Sequence, residues 1–175
     1  LIKQTLLNQD FKPENITVII NQEATYAGIK TSLNNLLKKI GPDDIVVIHY
    51  SGHGQQIFDD NDEEIDGKDE ALVPYDAWVR YNNNYKGEHH FRDDELGNYI
   101  TKFRNTLKNN GQLLLLLDSC HSGSTTRGGK SRGSQAVFAP DNWKPNKTGE
   151  ATGSDMKEKS KEKLSSNTAP FILIS

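Results

Sequence analysis

The sequence predicts an α/β fold, on three observations. Short β-branched or leucine-rich runs alternate with amphipathic segments of helical period. The runs "DIVVIHY" (residues 44–50) and "GQLLLLLD" (111–118) are apolar in succession rather than alternating, as strands of a sheet covered on both faces are. Strands that alternate with helices pair in parallel through right-handed crossovers, with helices packed on the sheet.

In chain order, "ITVII" at 16–20 reads as a first strand. Ile29, Leu33, Leu36, Leu37 and Ile40 share one face of a helix that Gly41-Pro42 ends, because proline carries no N–H to continue it. Residues 44–50 form a second strand. After "RDDE", Leu96, Ile100, Phe103 and Leu107 recur at helical spacing, and 111–118 follow as a third strand. "PFILIS" at 170–175 reads as a fourth. Residues 125–170 are rich in Gly, Ser, Lys, Asn and Pro without a sustained apolar stripe, which predicts a mobile loop.

The chain has 175 residues, enough for one core and too few for two ordinary domains, so 1–175 is taken as a single domain. One cysteine rules out an internal disulfide framework and any cysteine-rich zinc site. A net charge of −3, without basic residues interleaved with aromatics, points away from nucleic acid. No apolar run approaches the ~20 residues that span a bilayer, so no membrane partner is expected. The opening Leu1 leaves localisation open, with the cytoplasm favoured.

Chemistry collects where two strands end. "VVIHYSGHG" carries Ser51, Gly52, His53 and Gly54, and "LLLLLDSCHSG" carries Asp118, Cys120, His121 and Gly123. Parallel sheets bind ligands beyond the carboxyl ends of their strands, so both motifs open onto one edge. An imidazole there would take the thiol proton and sustain a nucleophilic thiolate. Glycines would let main-chain N–H groups approach a developing oxyanion, and those of Gly54 and Cys120 are the candidates. A lone cysteine at a strand end is ordinarily a small buried hydrophobe, but the joint pattern favours catalysis. Adjacency turns His121 away from the thiol, which leaves His53 as base. His49 reads as structural, and His89 and His90 as solvated loop residues.

At these residues the sequence resembles the metacaspases and their bacterial relatives, within the caspase-like clan of cysteine peptidases. "HYSGHG" and "DSCHSGS" are similar to that family's histidine and cysteine motifs, and "DGKDEALVPYDA" with "RDDEL" to the stretches between them. The resemblance covers roughly residues 1–125 and the closing strand. It implies a caspase-like three-layer sandwich, with a mostly parallel sheet flanked by helices. It also implies a cysteine endopeptidase that cuts after Arg or Lys, with Cys120 as nucleophile and His53 as general base. Ser51 and Asp118 would form the basic-side-chain pocket, since a carboxylate suits a cation. Further strands of the family's sheet lie outside both ends of this chain, which would make it a catalytic large-subunit portion served by a companion C-terminal fragment.

No cofactor is required by that chemistry, although calcium enters in two ways. "DDNDEEIDGKDE" is dense in carboxylates but fails as an EF-hand, because Val73 stands where the closing glutamate belongs. The resemblance implies another set, Asp76, Asp93 and Asp94, with Arg127 standing where a further acid is expected. Arg127, Lys130 and Arg132 also offer cleavable bonds, so self-processing between 127 and 163 is expected. The rival readings are a catalytically silent scaffold and a calcium-responsive regulator.

Overall fold

The computed structural model describes residues 1–61, 64, 66–119, 136–145, 164 and 167–175. Its elements are α1 (Ile2–Asn8), α2 (Tyr26–Lys39), β1 (Ile45–Ser51), β2 (His53–Phe58), β3 (Lys68–Val73), β4 (Phe91–Arg92), α3 (Asp93–Leu107), β5 (Gln112–Asp118) and β6 (Phe171–Ile174). Three strands form a parallel sheet in the order β1-β5-β6, flanked by helices, as an α/β, caspase-like fold requires. Among the described residues no helix is long and apolar enough to cross a membrane.

Local chemistry sets the helix ends. The Thr25 hydroxyl accepts from Gly28 N at 3.0 Å and caps α2, while Lys38 and Lys39 sit in its last turn against the negative end of the helix dipole. Asp93, Asp94 and Glu95 open α3 with the complementary charge. Tyr26 Oη donates to Glu95 at 2.8 Å and Lys30 pairs with Glu95 at 2.7 Å, so α2 and α3 are tied across their polar rims. Beneath that rim Leu33, Leu96, Phe103 and Leu107 pack with Val46, Leu113, Leu115 and Leu117 of the sheet.

Continuous apolarity in β5 does not mean equal burial. Leu113, Leu115 and Leu117 are buried, whereas Leu114 and Leu116 are half-buried, and on β6 Ile172 is 60% exposed. Among the described residues the second face of the sheet is thus only partly covered.

Residues 16–20 correct the expected first strand. Their backbone is extended at Ile16 (φ −105°, ψ 111°) and Ile20 (φ −139°, ψ 153°), yet they join no ladder among the described residues. Instead Ile16, Ile19 and Ile20 line a cavity of about 510 Å³ together with α2 and the open edge of β1. β propensity supplies the extended conformation, but a strand also needs a neighbour within hydrogen-bonding distance.

The stretch after β1, to which the sequence pattern assigns no strand, is an antiparallel sheet. β2 pairs with β3, and β3 with β4. Most of 125–170 lies outside the described residues. Inside that span, however, Phe138 packs on β2: Phe138 N donates to Gln56 O at 2.8 Å, Phe58 N donates to Phe138 O at 2.9 Å, and Phe138 is 1% exposed.

Candidate active site

The site is built from the strand ends upward. β1 and β5 run parallel with Ile45 opposite Gln112 and Ser51 opposite Asp118, so partners are 67 residues apart throughout. Side chains in register on adjacent strands share a face, and Ser51 Oγ donates to Asp118 Oδ2 at 3.0 Å. Both residues are exposed at the carboxyl edge of the sheet. Gly52 N then donates to Asp118 O at 3.3 Å, and the chain turns a corner into β2.

That corner puts His53, exposed, at the first position of β2 opposite Val73, and buries Gly54 next to it opposite Leu72. Ser51, His53, Gly54 and Asp118 therefore stand around the ends of β1 and β5. Cys120, the proposed nucleophile and second oxyanion donor, lies outside the described residues, as do His121 and the basic residues Arg127, Lys130 and Arg132.

The acidic residues fall into two sets. Asp76 accepts from Tyr26 N at 2.8 Å, at the start of α2, and contacts His89 Nδ1 at 3.1 Å. Asp93 and Asp94 open α3. Among the described residues, the three acids whose ligand atoms lie within 4.8 Å of one another are Asp59, Asp60 and Asp69. Arg92 already pairs with Asp60 at 3.1 Å and with Asp69, while Asp59 accepts from Asn61 N and Glu64 N. Those oxygens are committed to the protein's own cation and backbone, so this trio does not fit a metal. Burial pushes Asp93 up to about 7, with Glu70 and Asp94 adding repulsion, and pushes Asp69 up to about 7 against the pull of Arg92.

His90 corrects the expectation of a solvated residue. It is 3% exposed, with Nε2 3.3 Å from Gln55 Oε1 and Nδ1 3.1 Å from Tyr85 Oη. Gln55 Nε2 donates to Val79 O and Ala136 O, so its oxygen must accept, and the proton of His90 belongs on Nε2. This network joins β2 to both 79 and 136. No pattern in the sequence marks it, because "EHHF" is polar in composition and only the fold buries its second histidine.

The network has a pH consequence. Burial pulls His90 down to about 4 from an ordinary 6.5, so its stabilisation is present above 6.5 and lost as pH falls toward 4. The loss should reach about 3 kcal/mol across that window. Asp69 and Asp93 act in the opposite sense, since carboxyls with raised pKa contribute stability at low pH that disappears as pH rises through about 7. Comparing urea unfolding of wild type and His90→Gln from pH 7.5 to 4.5 isolates the histidine. The difference should narrow with acid; parallel curves would refute the assignment.

A parallel sheet whose adjacent strands finish in a hydroxyl–carboxylate pair, with an exposed imidazole two residues on, is an α/β domain with its chemistry at the carboxyl edge. Comparison with known proteins makes this specific. A family model described as "Metacaspase, peptidase C14 domain" matches residues 3–127. "Metacaspase-1" of Ajellomyces capsulatus is 33% identical over 128 residues, covering 69% of this chain and 33% of that protein. "Metacaspase-1A" of Aspergillus niger is 34% identical over 128 residues, 69% of this chain and 29% of that protein. "Metacaspase III c" of Phaeodactylum tricornutum is 35% identical over 119 residues, 65% and 32%. A solved structure of a Geobacter sulfurreducens protein matches with a TM-score of 0.47 and 31% identity, over 61% of this chain and 34% of that one. The chain belongs to the metacaspase family, peptidase C14. It spans about a third of the length of the curated relatives it matches.

Proposed function

We propose that this domain is a cysteine endopeptidase that cleaves after Arg or Lys, with Cys120 as nucleophile and His53 as general base. The observation that carries the reading is the register of β1 and β5. It ends with Ser51 opposite Asp118, so the segments that lead on to His53 and to Cys120 leave the sheet at the same end, which supports the pairing. In this mechanism His53 takes the thiol proton and the sulfur attacks the carbonyl carbon. The N–H groups of Gly54 and Cys120 hold the oxyanion, and collapse expels the amine with a proton from His53. Water activated by His53 then hydrolyses the thioester and restores the thiol.

Selectivity for a cation rests on Asp118. Its carboxylate is exposed at the strand end and accepts from the Ser51 hydroxyl, so an arginine or lysine side chain that reaches it meets negative charge. Fluorogenic peptides ending in Arg, Lys or Asp test this. Arg and Lys should be cleaved and Asp should not, and Asp118→Asn should lower kcat/KM on the basic substrates by about 10- to 100-fold. Cleavage of the Asp peptide would refute the pocket. Silence on all three would favour the scaffold reading.

Calcium belongs to this proposal as a modulator of the acidic flank. Glu70 and Asp94 press like charge on the buried Asp93, and a divalent cation held by the implied set Asp76, Asp93 and Asp94 would relieve it. The thermal midpoint should rise with millimolar calcium and fall back with chelator, and an unchanged midpoint and rate would end it.

A further inference from the structure

Tyr50 is not among the residues that the motifs single out by chemistry. It lies on the core face of β1, packed against the main apolar cluster, and its hydroxyl reaches back to the corner of the site. Tyr50 Oη is 2.9 Å from His53 O and 3.1 Å from Val73 O. These two residues face each other as the first pair of β2 and β3, so one phenolic donor serves the carbonyls on both sides of that pair. Burial pushes the phenol up to about 12, which keeps it protonated at any working pH.

The corner itself is shaped for this contact. A Cβ on Gly52 would fall 2.6 Å from Tyr50 Oη and 2.7 Å from Cζ, so the ring occupies the space that any other residue would fill. Glycine at 52 and tyrosine at 50 are thus parts of one arrangement: the aromatic ring is rooted in the core and its polar tip holds the backbone of the residue beyond the turn.

We propose that Tyr50 is the positioning residue for His53, anchoring its main chain so that the imidazole is presented where the thiol of Cys120 can give up its proton. This rests on the assignment of His53 as base. It requires that Tyr50 act on proton transfer rather than on substrate binding.

The chain has a single cysteine, so alkylation by iodoacetamide, followed by intact mass across pH 5 to 10, reports the thiolate without ambiguity. In wild type, reactivity should persist on the acid side, and His53→Ala should abolish that acid-side reactivity. Tyr50→Phe should slow alkylation about tenfold at pH 6, match wild type within about twofold at pH 10, and lower kcat about tenfold at near-constant KM. Gly52→Ala, which keeps the hydroxyl but displaces the ring, should reproduce this signature. The double variant should be no worse than either single one. If Tyr50→Phe does not fold, Gly52→Ala alone decides. A Tyr50→Phe profile superimposable on wild type, or a loss confined to KM, would overturn the proposal while leaving His53 as base. Coincident profiles for wild type and His53→Ala would instead remove the base, and the proposal with it.

Discussion

Replacing Cys120 with alanine is expected to lower hydrolysis of Arg- and Lys-ending peptides by on the order of 10⁴-fold or more, and His53→Ala to cost nearly as much. The two losses should not add, because a thiol without its base and a base without its thiol are both outside the covalent pathway. The double variant should retain the activity of Cys120→Ala alone. Steady-state kinetics on purified variants of equal thermal midpoint check this, since equal midpoints exclude unfolding as the cause. Retention of more than a tenth of wild-type activity by either single variant would sink the mechanism. The same Cys120→Ala protein tests self-processing. Wild type should be nicked between residues 127 and 163 on incubation while the variant keeps its intact mass, and identical intact masses in both would exclude self-cleavage.

Phe138→Ala is expected to destabilise the fold by about 3–5 kcal/mol, a large share of the total for a domain of this size. Phe138 fills the second core cluster with Ile57, Ala71 and Tyr85. Its ring centroid lies 5.6 Å from those of Tyr81 and Tyr85 and 4.5 Å from that of His90. Truncation would empty the centre of that packing and loosen the hydrogen bonds by which 138 pairs with β2, the strand that begins at His53. The thermal midpoint should fall by roughly 10 °C or more. Phe138→Leu, which conserves much of the volume, should recover most of the loss. A midpoint within 2 °C of wild type for the alanine variant would mean that Phe138 contributes nothing to the core, against its burial.

The strand ends at Ser51 and Asp118 were legible because they depend on local order. "HYSGHG" and "DSCHSG" each follow an apolar run, and a parallel sheet delivers such residues to its carboxyl edge whatever the loops do. The pairing of Ser51 with Asp118 agrees with that reading, since parallel register follows from aligning two apolar runs of equal length. Tyr50 was not legible as a positioning residue. Its role needs the corner at Gly52 to fold the hydroxyl back onto His53 O, and a sequence pattern carries no information about a contact that skips two residues around a turn.

Residue type and period by themselves determined the α/β class, the strands β1 and β5, and the amphipathic helices α2 and α3, because each follows from which side chains avoid water along one short segment. Tertiary structure alone decided that 16–20 join no ladder among the described residues, that 53–58 and 68–73 pair antiparallel, and that His90 is buried while His89 is not. These outcomes depend on what lies across from a segment rather than within it. A strand becomes a strand, and a histidine becomes part of the core, only when another part of the chain supplies the partner.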